Sequence, residues 1–190
     1  MICVSRPKRE SIQALLQAER GLRFPYTEVG ATRGSGAPRG YTVDHNRALL
    51  GRGAEVFALA KQAIRNWKMF EMDWLELCWT DTAIEVGSTV GVLVGHYGFW
   101  SLNPCRIAYV LEEGGRVEKF GFAYGTLPGH AEIGEERFSV EFDPRDSSVW
   151  YELYAFSRPG VMARMGYPLA RALQKRFARD SMAAMQRAVA

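Results

Sequence analysis

Apolar and polar positions alternate with two different periods along the chain, and the changes of period mark its elements. From Ser5 to Arg20, Ile12, Leu15, Leu16 and Glu19 fall at helical spacing and Gly21 ends the run, which predicts a short amphipathic helix. Residues 21–40, GLRFPYTEVGATRGSGAPRG, hold no period; five glycines and two prolines predict a long loop. Tyr41–Leu50 reads as a strand. Gly51-Arg52-Gly53 then opens a helix from Ala54 to about Phe70, with Val56, Ala60, Ile64 and Trp67 on one face. From Trp74 the period becomes two, through WLELCW, Val86–Tyr97, Ser101–Leu111, Lys119–Phe142 and Val149–Phe156. Short turns at Glu112–Gly115, Leu127–Gly129 and Asp143–Asp146 join about six antiparallel strands into a meander and leave no room for parallel crossovers. From Gly160 the helical period returns, with Leu169, Leu173, Phe177, Ala184 and Met185 as an apolar stripe and Arg171, Lys175 and Arg179 stacked on another face.

The densest chemistry lies in Lys119–Phe142. Phe120, Phe122, Tyr124 and Thr126 share one face of a strand and Gly121, Ala123 and Gly125 the other, so a backbone, a helix or a ligand can approach the small side closely. After the Pro-Gly turn come His130, Glu132, Glu135, Glu136 and Arg137, and then Phe138, Val140 and Phe142 resume the alternation.

Strand, helix, meander, long helix is the element order of an α+β protein. A sheet of this kind needs a cover, and the C-terminal helix is long enough to provide it. The order is similar to the helix-grip arrangement of START-like and Bet v 1-like proteins, in which a curved antiparallel sheet wraps a long C-terminal helix and encloses an apolar cavity. Residues 1–40 are expected to form an N-terminal helix and irregular loop, and 41–190 a single START-like domain. The loop is either a surface connection or a lid that brings Tyr26, Glu28 and Arg33 over a pocket; the surface connection is the first reading.

Composition narrows the function classes. The 190 residues are 47% hydrophobic and 24% charged, as in an ordinary globular protein. A net charge of +3 gives no reason to expect a nucleic-acid partner. No apolar run approaches the roughly 20 residues of a membrane-spanning helix, and MICVSRPKRESIQ has no apolar core of a secretory signal. Cys3, Cys78 and Cys105 are odd in number and widely spaced, giving neither a disulfide framework nor a zinc pattern. A reducing cytoplasm is therefore the expected compartment. No metal site or cofactor is expected.

Several side chains are candidates for ligand contacts, each with a structural alternative. His96 follows Val90, Val92 and Val94 at period two, so it is either a core histidine or an acid, base or ligand contact near neutral pH. Tyr97 and Trp100 beside it are core or an aromatic wall. His130 with Glu132 and Glu136 is a carboxylate-oriented imidazole, or else a polar hairpin end in which Arg137 pairs with Glu132 or Glu135. Tyr124, Tyr151 and Tyr154 each carry a hydroxyl on a large apolar body, suited to orienting a ligand in a greasy cavity. No catalytic or phosphate-binding motif is present.

Longer segments resemble one family. YTEVGATRG at 26–34, WKMFEMDW at 67–74, IEVGSTVGVLVGHYGFWSLNPCRIAYVLEE at 84–113, FGFAYGTLPGHAEIGEERF at 120–138 and LQKRFARDSMAAM at 173–185 are similar to the bacterial and plant family catalogued as domain of unknown function nineteen-ninety. The resemblance implies a single START-like domain and carries no catalytic set. Three functions are open at this point. The first is a soluble protein that binds a small apolar or lipid-like ligand between sheet and C-terminal helix. The second is a hydrolase or cyclase acting on such a ligand through His130 and Glu136 or His96. The third is a membrane-surface protein using the basic face of the last helix.

Overall fold

The computed structural model describes residues 2–34, 36, 38–79, 81–96, 98–160 and 167–190. Its elements run β1 (Ile2–Cys3), α1 (Arg9–Glu19), β2 (Thr42–Arg52), α2 (Ala54–Arg65), β3 (Leu75–Cys78), β4 (Thr89–His96), β5 (Phe99–Glu113), β6 (Glu118–Thr126), β7 (Glu132–Asp143), β8 (Ser148–Pro159) and α3 (Tyr167–Ala188). Short 3₁₀ turns occupy Ala31–Arg33 and Lys68–Phe70. The strands form one antiparallel sheet in the order β2-β8-β7-β6-β5-β4-β3, with β1 paired to β5. β3 to β8 are the meander that the alternation predicts, and β2 extends it beyond β8.

The sheet curls, and its concave face holds the main core. Phe120, Phe122, Tyr124, Phe138, Val140, Val149, Tyr151 and Leu153 point there at period two. Their cover differs from the expectation of one long helix. Phe57, Ala60 and Ile64 of α2, Trp67, and Met69 and Phe70 of the following 3₁₀ turn share the concave face with Met185 of α3. α2 stops at Arg65, short of the expected Phe70. The amide of Asn66 closes the last turn on Gln62, and Trp67 turns left-handed with φ 56°. That turn aims the indole into the core, where it is 1% exposed and donates to the carbonyl of Thr82 at 2.9 Å.

α3 is covered unevenly. Ser181, Ala184 and Met185 are buried, but Leu173 and Phe177 are half-buried and Leu169 is 38% exposed. The apolar stripe therefore faces the core over the second half of the helix only. The basic row is likewise divided: Arg171 leaves it to pair with Asp44 of β2, while Lys175 and Arg179 stay exposed.

The convex face is covered by the N-terminal part of the chain. Ile12 and Leu16 of α1 pack with Cys78, Leu93 and Leu102. The irregular segment crosses β5, β6 and β7. A Cβ at Gly125 would lie 2.0 Å from the Tyr26 hydroxyl and 2.7 Å from the Phe24 ring. The small side of β6 is thus the seat of this segment, and Ala123 packs with Tyr109 and Leu111 beneath it. Two acid-base groups hold it there. Glu135, 2% exposed, accepts from the amide of Gly30 at 2.7 Å, the amide and hydroxyl of Thr32 at 3.1 and 2.5 Å, and the Tyr26 hydroxyl at 3.2 Å. Arg137 donates to the carbonyl of Thr32 at 2.5 Å and pairs with Glu152 at 2.7 Å. Its expected partners, Glu132 and Glu135, are not the ones it takes. Glu132 points to the opposite face, and Glu135 is occupied by the loop.

Candidate functional site

Antiparallel register sets four side chains in one row across the sheet. Asp44 of β2 lies opposite Ala155 of β8, Ala155 opposite Glu136 of β7, and Glu136 opposite Tyr124 of β6. The row faces the concave side, because Glu136 shares its face of β7 with Phe138 and Val140. The next row toward the strand ends holds Thr42, Ser157 and Gly134. Above both rows runs the first half of α3.

The floor here is partly exposed. Along the same face of β8, Val149, Tyr151 and Leu153 are 0%, 0% and 2% exposed. Ala155 and Ser157, one and two steps further, are partly exposed, as are Glu132 and Glu136 on β7. Small side chains on the floor and half-buried apolar residues on the helix leave this end of the concave face less tightly closed than its middle.

The core beside it is aromatic. Phe70 lies 5.4 Å from Phe138, 5.4 Å from Phe177 and 6.2 Å from Tyr124, centroid to centroid, and Tyr124 meets Phe138 edge-on at 5.2 Å. Deeper still, the hydroxyls of Tyr151 and Ser181 share a hydrogen bond of 2.9 Å.

The polar groups form two sets. In the first, the Tyr124 hydroxyl donates to Glu136 at 2.8 Å. Burial pushes the Glu136 carboxyl up to about 7; Tyr124 opposes this, and the nearby charges of Glu132 and Asp44 add to it. Burial, followed by the charge of Glu136, holds the Tyr124 phenol well above its ordinary range. Near neutral pH the pair therefore offers a carboxyl that exchanges its proton and a phenol that keeps its own. In the second set, Arg171 forks onto Asp44 at 2.5 and 2.7 Å and also donates to Gln174, whose amide donates to Glu132 and, at 3.1 Å, to Ser157. This set ties the start of α3 to β2, β7 and β8. Burial raises the Glu132 carboxyl, against the hydrogen bonds from Gln174 and Ser157.

The side chains singled out from the sequence thus separate. Tyr124 and Glu136 meet on the concave face, with the charge of Glu132 nearby. Arg137 and Tyr154 lie on the convex face, with the guanidinium 5.4 Å from the Tyr154 ring. His130 is a turn residue whose Nδ1 accepts the amide of Glu132 at 2.9 Å, and burial lowers it to about 4. His96 and Trp100 line a surface cleft of about 390 Å³ with Trp74, Glu76 and Phe99, apart from the Glu136 row. Tyr97 lies outside the described residues. Asp44, Ala155 and Gln174 escaped the sequence reading because isolated polar or small residues in a strand or helix carry no periodic signal. Among the described residues no three histidine, cysteine or carboxylate side chains group as metal ligands do, and no helix is long and apolar enough to cross a membrane.

A curled antiparallel sheet gripping a C-terminal helix, with a row of polar side chains at one end of its concave face, defines a helix-grip protein of the START-like and Bet v 1-like fold. The solved structure of Ara h 8.0201 superposes with a TM-score of 0.51 at 11% identity, over 79% of this chain and 98% of that one. The chain belongs to the family described as Domain of unknown function (DUF1990), whose profile matches residues 25–184. A UPF0548 protein of Dictyostelium discoideum is 35% identical over 208 residues, covering 100% of this chain and 96% of its own. A UPF0548 protein of Arabidopsis thaliana is 38% identical over 153 residues, covering 77% of this chain and 72% of its own.

Proposed function

We propose that the chain is a soluble, cytoplasmic protein that binds a small ligand with an apolar body in the cleft between the concave face and the first half of α3. The observation that carries this reading is the partial exposure of Ala155 and Ser157 on the face of β8 where Val149, Tyr151 and Leu153 are closed. An apolar body would lie against Phe70, Phe138 and Phe177, and a polar group would meet Glu136 and Tyr124; apolar walls with a few placed polar groups suit small molecules. Residues 41–190 are the binding unit in this reading, and residues 1–40 brace its convex side rather than closing over the ligand. The test is saturable binding of an environment-sensitive hydrophobic probe. Ala155→Leu, which fills the floor, is expected to abolish it, while Ala123→Val, on the convex side, is expected to leave it intact if the fold holds. Saturable binding unchanged by Ala155→Leu, or no binding at all, overturns the reading.

A second reading is supported by the carboxyl of Glu136, raised to about 7 and hydrogen-bonded by Tyr124. A general acid or base operating near neutral pH needs such a value. In that case Glu136 would be the proton-transfer group and His130, engaged in its own turn, would not be.

A further inference from the structure

Resting on the binding reading above, we propose that the ligand is an organic cation: an apolar body carrying a protonated amine or quaternary ammonium, seated over Ala155 against Glu136. The argument is the balance of charge around that position, taken element by element. β2 contributes Asp44, β7 contributes Glu132 and Glu136, and α3 contributes Arg171. β6 and β8 contribute only the phenols of Tyr124 and Tyr151, and β5 the thiol of Cys105, which burial holds well above its ordinary range. Arg171 is committed twice, to both oxygens of Asp44 and to Gln174. Among the described residues the other nearby bases face elsewhere: Arg137 is on the convex side with Glu152, Arg176 lies over the Trp74 ring, and Lys175 is exposed.

Glu136 is therefore a carboxyl with a hydrogen bond from a phenol and no basic side chain paired to it among these neighbours. An anion placed over Ala155 would meet Glu136 and Glu132 and, among the described residues, find no uncommitted base. A cation would meet a carboxylate and, independently, the aromatic ring of Phe177. Phe177 is half-buried at the rim, with Phe70 and Phe138 behind it at 5.4 and 6.2 Å. Ring faces attract cations, and more strongly where water is thinned out. Carboxylate and ring walls thus select the same sign of charge. Ala155, between Asp44 and Glu136 in the row, is its smallest side chain and is partly exposed. Such a ligand also draws the proton from Glu136, so affinity for a permanently charged cation rises with pH through about 7.

Three probes of one shape class test this: benzyltrimethylammonium, its neutral carbon isostere neopentylbenzene, and phenylacetate. Binding is read by calorimetry or tryptophan fluorescence at pH 6 and pH 8. The expected result is that the ammonium binds at least tenfold more tightly than the other two. It should tighten severalfold from pH 6 to pH 8, and Glu136→Gln should remove both the preference and the pH dependence. Ala155→Leu, which keeps every charge, should block the ammonium. Equal or tighter binding of the neutral or anionic probe, with no pH dependence, overturns the cation inference while leaving the cleft as a binding site. Failure of all three probes overturns both. The selectivity and pH dependence are read on the unmodified protein, so the outcome stands even if Glu136→Gln does not fold.

Discussion

The hydroxyl of Thr32 reaches the buried carboxylate of Glu135 at 2.5 Å, across 103 residues of sequence and on the side of the sheet that faces away from the cleft. Glu135 takes two amides and a second hydroxyl as well. A buried carboxylate is tolerable only when its lone pairs are filled in this way, and the donors in turn depend on it. Glu135→Ala is expected to cost about 3–5 kcal/mol in urea unfolding, since it strands several buried donors at once. Thr32→Val, which removes one hydroxyl, is expected to cost about 1 kcal/mol. The Glu135 variant should also expose residues 22–34 to limited proteolysis. A neutral Glu135→Ala would mean that the segment is held by its apolar contacts alone.

α3 provides a graded series. Met185 is 0% exposed, Leu173 half-buried and Leu169 38% exposed. Met185→Ala is expected to cost about 2–5 kcal/mol, as buried large-to-small changes do. Leu169→Ala should stay within about 0.5 kcal/mol of the parent, and Leu173→Ala should fall between them. If Leu169 and Met185 cost the same, the first half of α3 is closed on the sheet and the cleft does not exist.

Glu136 and His130 shift in opposite directions and should shape stability against pH in opposite ways. The folded carboxyl of Glu136 sits at about 7 against 4.5 when unfolded, so its stabilisation is present below 4.5 and is lost as pH rises through 7. The folded His130 imidazole sits at about 4 against 6.5, so its stabilisation is present above 6.5 and is lost as pH falls through 4. Between 4.5 and 6.5 the two slopes oppose each other. Urea midpoints of Glu136→Gln minus those of the parent should rise with pH across 4.5–7, and those of His130→Asn minus the parent should fall across 4–6.5. A flat difference for either variant would mean that its group titrates normally in the folded protein.

The sequence by itself determined the periods, and with them most of the elements. Alternation in β6 and β7 separates Phe122, Tyr124, Glu136 and Phe138 from Gly125, Glu135 and Arg137, because side chains in a strand can only take one side or the other. It also determined the helix-grip order, since six strands joined by short turns must form an antiparallel meander that needs a cover. What the period cannot say is which side curls inward. The glycine side of β6 reads equally well as a ligand wall, and only the seating of Phe24 and Tyr26 on Gly125 makes it the convex, braced side. The end of α2 was lost for a related reason: the apolar run continues through Trp67 and Phe70, and the left-handed turn at Trp67 depends on a core assembled from distant strands. The site was half legible. Glu136 and Tyr124 stood out by chemistry, but the row from Asp44 through Ala155 to Glu136 depends on β2 pairing with β8, strands separated by about half of the chain. Register between distant strands is set by the packing of the whole sheet, so the small residue between Asp44 and Glu136 and the base already committed to Asp44 become visible only once that sheet is closed.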